Sequence, residues 1–212
     1  MHDSLQTGEI ITTLESSDLS RGFGKRIYSV QSFRQALADV FEHLPDLQSA
    51  SRRGLIDKAF SERIMLAVTH VNGCRYCSYG HARLALSVGI SENEIKELLN
   101  GEFSTAPQEQ HIALAFAEHY AETGGNPDSL SLQKLIETYG EEKTCHILAY
   151  IRMIMVGNLM GNTFDALLSR FRGNPAAGSS IRQELGVMGG SLILLPLGML
   201  RRLLRRLMPR KA

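Results

Sequence analysis

The segment Cys74-Arg75-Tyr76-Cys77-Ser78-Tyr79-Gly80-His81 brings two thiols and an imidazole into one short stretch. On a helix, the i,i+3 spacing of the cysteines and the i,i+4 spacing of Cys77 and His81 put all three side chains on one face. If that helix begins near Cys74, the unpaired N–H groups of its first turn and the positive end of its dipole favour a thiolate over a neutral thiol. An imidazole one turn along can take the thiol proton, and one cysteine can then attack the sulfenic acid of the other to close a disulfide. Those are the steps of a two-cysteine peroxidase cycle. Glu62 stands upstream on an otherwise apolar helix face, where a buried carboxylate needs a partner; beside His81 it could orient the imidazole and relay its proton. The rival chemistry for the same four groups is a zinc site, although no second Cys/His pair stands at finger spacing. The blandest reading is an inert buried pair.

Helices must position these groups. The periodicity predicts a helix over Gln31–Phe41 that closes before Pro45, and a second apolar face from Ser51 through Val71 that Asn72-Gly73 ends. A third runs from about Cys74 to Val88 with Gly89 as its left-handed cap, giving a helix hairpin with Cys74 at the corner. Ser91-Glu92-Asn93-Glu94 reads as a capping box opening a short helix to Asn100. Further helices are expected from Pro107 to Gly124, over Leu130–Tyr139, and from Thr144 to about Phe171. No stretch alternates with period two, so the expected class is all-α. The expected organisation is a polar arm over residues 1–30, a helical domain over 31–172, a linker over 173–186 and an apolar, then arginine-rich, tail over 187–212.

Glu62, the run Cys74-x-Tyr76-Cys77-x-x-x-His81, Leu66-Ala67-Val68 and Asn72-Gly73 together resemble the AhpD-like alkylhydroperoxidase branch of the carboxymuconolactone decarboxylase superfamily. Gly157-Asn158 to Asn162-Thr163-Phe164-Asp165 is similar to an asparagine-containing helix late in that domain, so the resemblance spans roughly residues 35–172. It implies an all-helical protein, trimeric or hexameric, that reduces hydroperoxides or a partner thiol protein and needs no organic cofactor. By the same resemblance Cys77 is the peroxidatic cysteine, Cys74 the resolving one, and Glu62 with His81 the proton relay. Tyr76 stands where some members carry a histidine; a phenol can donate a hydrogen bond but is a poorer base. The lactone-decarboxylating branch would have no use for the cysteine pair. A non-catalytic zinc-binding or membrane-docked scaffold is the alternative from another class.

His70, between Glu62 and Cys74, is a further possible site residue. Cys145, beside Ile147 and Leu148, is expected to be a small core residue, and Met153, Met155 and Met160 adaptable packing. A formal net charge of +1 gives no global attraction to nucleic acid. The opening residues lack the apolar run of a secretory signal, and three cysteines do not make a disulfide framework, so a cytoplasmic location is expected. The apolar run Val187–Leu200, interrupted by Gly189-Gly190, Pro196 and Gly198, reads as too short to span a bilayer. With Arg201, Arg202, Arg205, Arg206, Arg210 and Lys211 after it, that tail is expected either to touch anionic lipid peripherally or to pack across an oligomer interface.

Overall fold

A computed structural model describes residues 23–207 of the chain. Among them the order is α1 (Val30–Arg53), α2 (Lys58–Asn72), α3 (Arg75–Ser87), α4 (Glu92–Leu99), a 3-10 turn (Gln108–Gln110), α5 (His111–Glu122), α6 (Ser129–Phe171) and α7 (Ile181–Leu207), with no strand. The first 22 residues of the expected arm and the last five of the tail lie outside the described residues.

α2 is the central helix. Asp57 starts it by accepting a hydrogen bond from the Phe60 N–H at 2.7 Å, and Gly73, at φ 64°, ends it in a left-handed conformation that costs a glycine little. Between those caps Ile64, Met65, Leu66, Ala67 and Val68 are all buried, because α3, α4, α5 and α6 surround the helix. The main core forms where these side chains meet Leu114 of α5 and Ile147 and Ile151 of α6. The polypeptide then turns at once into α3, so the hairpin expected around Cys74 is present.

Several expectations need correction. α1 does not close before Pro45 but passes through it to Arg53, ending at left-handed Gly54. Pro45 points to solvent, and the helix that continues beyond it buries Ala50 completely, which offsets the lost backbone hydrogen bond. The capping box at Ser91 is half made: Ser91 accepts from the Glu94 N–H at 3.2 Å, but the Glu94 carboxylate turns to Arg63 of α2. The two helices expected on either side of residues 140–143 are present, together labelled α6: Gly140, whose φ of 75° and ψ of 164° are not helical but are open to glycine, separates them, and only the gap between them is shorter than expected. Cys145 is exposed, not in the core, since its neighbours His146 and Ile147 take the inward positions.

The largest difference lies at the C-terminal end. Gly189-Gly190, Pro196 and Gly198 do not break the apolar run; they sit inside α7, which begins at Ile181 within the stretch expected as linker. Its Ile181–Leu200 portion, 20 residues, is long and apolar enough to cross a membrane by length and composition. The start of α7 is tied to the domain by Glu184, whose side chain is 0% exposed and accepts from Arg170 at 2.8 and 2.9 Å and from the Ser179 hydroxyl at 2.7 Å. The hydrogen bonds from Arg170 and Ser179 hold the Glu184 carboxyl below the ordinary glutamate value, although burial opposes them. A carboxyl depressed in the folded state contributes stability above its unfolded value and loses it as pH falls through the folded one. Glu184→Gln should therefore melt lower than wild type near neutrality, and the gap should close below the ordinary glutamate range; parallel melting curves across that range would show that this carboxylate does not anchor α7.

Candidate active site

Cys74 is the N-cap of α3. Its backbone is extended, and its Sγ accepts from the Cys77 N–H at 3.3 Å, so the sulfur occupies the position where a helix's unpaired donors and dipole favour negative charge. A disulfide joins Cys74 to Cys77. The two sulfurs are not equivalent: Cys74 is 1% exposed, whereas Cys77, one turn into the helix, is only partly buried.

One turn further along α3, His81 Nδ1 lies 2.7 Å from Glu62 Oε2 on α2, and both side chains are mostly buried. An ionised carboxylate only accepts, so the contact places a proton on Nδ1 and leaves the Nε2 lone pair free to take one up. Tyr150 of α6 lies within electrostatic reach of Glu62. Burial first, and then the Glu62 carboxylate, raises its phenol above the ordinary value. The sequence reading missed Tyr150, since nothing in its local pattern separates it from core packing.

α6 closes the other side of the corner. A Cβ on Gly161 would stand 2.7 Å from Cys74 Sγ and 3.8 Å from Cys77 Sγ, so the bare glycine backbone lies directly against the disulfide. The next residue, Asn162, donates to the Asn72 carbonyl at 2.7 Å and to the Arg26 carbonyl at 3.1 Å, binding the end of α2 to the strap that precedes α1. Asn158 accepts from the Thr69 hydroxyl at 3.1 Å, and Asn72 donates to Met155 Sδ at 3.1 Å. Asp165 pairs with Arg75 in the first turn of α3 at 2.5 Å and with Lys25 at 3.4 Å. Asn158, Gly161, Asn162 and Asp165 recur at helical spacing, which is why a single face of α6 makes all these contacts. The resemblance singled out this stretch in sequence, but nothing local said that it lies on the cysteines.

Cys74, Cys77, Glu62 and His81 thus come together as two pairs. Tyr76 is 40% exposed, its ring 5.8 Å from Phe164, and Arg75 donates to its hydroxyl at 2.9 Å. His70 belongs elsewhere: its Nδ1 is bound to the Leu99 carbonyl at 2.8 Å, and its ring lies against Gly101, which places it in the packing of α2 on α4. Among the described residues no group of three or more His, Cys, Asp or Glu side chains is arranged to hold a metal ion.

Residues 38–118 match the family model described as the carboxymuconolactone decarboxylase family. No curated protein and no solved structure matches the chain. The matched segment contains the whole hairpin with its cysteines, Glu62 and His81, and stops before the α6 face that covers them.

The close approach of α6 can be tested with two glycines one turn apart. Gly161→Ala must displace either Cys74 or α6 and should cost about 1–3 kcal/mol, whereas Gly157→Ala, whose Cβ meets nothing nearer than 4.0 Å, should be neutral or stabilise by up to about 1 kcal/mol. Thermal or denaturant unfolding of the oxidised proteins measures both; equal effects at the two positions would mean that Gly161 does not lie against the disulfide.

Proposed function

We propose, for a chain whose residues 38–118 match the carboxymuconolactone decarboxylase family model, the activity of a thiol-dependent peroxidase of the AhpD type working through Cys74 and Cys77. The observation that carries this reading is the disulfide between a buried and an accessible cysteine at the start of a helix, on the same face as a histidine paired with a carboxylate.

The Cys77 thiol passes its proton to His81 Nε2, with Glu62 stabilising the imidazolium so formed, and the resulting thiolate attacks the distal oxygen of a hydroperoxide. The O–O bond breaks, Cys77 becomes a sulfenic acid, and the alkoxide leaves as an alcohol with the proton that His81 returns. The Cys74 thiol then attacks the Cys77 sulfur, expelling water and closing the disulfide. Two thiols and one hydroperoxide have become one disulfide, one alcohol and one water.

Reduction runs through the same asymmetry. The accessible sulfur is that of Cys77, so a thiolate of a dithiol reductant attacks there and forms a mixed disulfide. The group expelled is Cys74, and a leaving thiolate departs faster the better its charge is stabilised. The Cys77 N–H and the first turn of α3 supply that stabilisation at the position Cys74 occupies. The second thiol of the reductant then attacks the mixed disulfide and frees Cys77. Glu62 and His81 together have no evident role in a merely structural disulfide, which favours the catalytic reading over a staple.

Hydroperoxide consumption with a dithiol reductant, followed for wild type and variants, tests this. Cys77→Ser should abolish turnover; turnover equal to wild type would remove Cys77 from the mechanism. Glu62→Gln should lower the rate roughly ten- to a hundredfold and change its pH profile, while mass spectrometry after mild oxidation should still find Cys74 joined to Cys77. A Glu62→Gln enzyme with unchanged rate and profile would reduce Glu62 to a structural partner of His81.

A further inference from the structure

α7 has two faces of different character. Its packed face carries Val187, fully buried, and presents three glycines to α1. A Cβ on Gly186 would stand 2.8 Å from Val30, one on Gly190 would stand 3.7 Å from Phe33, and one on Gly198 would overlap the Phe41 ring. The contacts advance in the same order along both helices, so α7 lies lengthwise and parallel on α1. The opposite face is uncovered. Leu185, Leu192 and Met199, seven residues apart and so on one side of a helix, are exposed, Leu192 by 78%, and Ile193, Leu195 and Leu200 flank them, also exposed. An apolar stripe of this extent on a soluble domain marks a surface that something else covers.

The charge of the segment points to what covers it. No acidic residue follows Glu184 in the sequence, and Arg201, Arg202, Arg205 and Arg206 occupy the last turns of α7 directly after the apolar stripe. A second copy of α7 packed parallel against the first would bring two such arginine clusters close together, where like charges repel, and an antiparallel copy would leave both clusters without a counter-charge. Anionic lipid headgroups complement them, at about 1 kcal/mol for each basic residue near the surface. We propose that α7 is an interfacial helix that holds the protein on an anionic bilayer, its exposed stripe among the upper acyl chains and its arginines at the phosphates, with α1 packed on its upper side. It lies on the membrane and does not cross it, despite the length of Ile181–Leu200. Crossing would either strip Gly186, Gly190 and Gly198 from α1 or drag Arg34, Asp39 and Glu42 of α1 into hydrocarbon, where ionised groups are costly.

The inference does not depend on the redox chemistry and can fail separately from it. The full-length protein would be mixed with phosphatidylcholine vesicles and with mixed phosphatidylglycerol–phosphatidylcholine vesicles, and the bound fraction measured by flotation. Binding to the anionic vesicles should exceed binding to the neutral ones by roughly tenfold or more, weaken with salt, and be released by an alkaline carbonate wash. The quadruple variant Arg201→Gln, Arg202→Gln, Arg205→Gln, Arg206→Gln should lose the preference for anionic lipid. The double variant Leu192→Gln, Met199→Gln should lose binding while retaining the wild-type melting temperature, since neither side chain is packed. Equal binding to both vesicle types would overturn the proposal, and so would retention through the carbonate wash, which would mean a spanning helix. Absence of vesicle binding would also overturn it, and an oligomer that the double variant dissociates would then identify a second copy as the cover.

Discussion

Where α6 crosses the corner of the α2–α3 hairpin there is no room for a side chain. Gly161 brings bare backbone against Cys74, and that contact fixes much of what surrounds it. It helps bury Cys74, while Cys77 stays only partly buried. Asn162 is held at the depth where it reaches both the end of α2 and the strap before α1, and Asp165 is placed over the first turn of α3. A larger residue at position 161 would force the helices apart, and these hydrogen bonds act over too short a range to survive much separation. The site is therefore a product of close helix packing as much as of its reactive groups.

Within that frame the electrostatics divide the work. The start of α3 supplies N–H groups and a dipole to Cys74, while the Glu62–His81 pair lies one turn beyond Cys77. The sulfur best placed to carry negative charge is thus the buried one, and the sulfur best placed to meet another molecule is its partner. In thiol–disulfide exchange these are complementary properties, because the attacked sulfur must be reachable and the departing sulfur must tolerate charge.

The uses made of glycine and of buried charge recur at the far end of the chain. In α7, glycines again let a neighbouring helix approach closely, and a fully buried Glu184 held by Arg170 locks the start of the helix to the domain. A buried carboxylate is tolerated only with such partners, so this contact fixes the rotation of α7 about its axis. That rotation turns Val187 inward and leaves Leu192 outward, and so determines which apolar residues remain uncovered.

The sequence by itself determined the helical class, the hairpin, the placing of Cys74 at the helix start, the sharing of one face by Cys74, Cys77 and His81, and the need of Glu62 for a partner across the hairpin. These follow from i,i+3 and i,i+4 spacing, from capping residues and from the cost of burying an unpaired charge, all of which act within a few residues or between adjacent helices. Tertiary structure alone decided which sulfur is buried, that His70 turns to Leu99 while His81 turns to Glu62, that Cys145 faces outward, and that Pro45, Gly190 and Gly198 lie inside continuous helices. Each of these depends on how closely a helix distant in sequence approaches. Helical periodicity states which residues share a face, but burial on that face is set by the helix that packs against it.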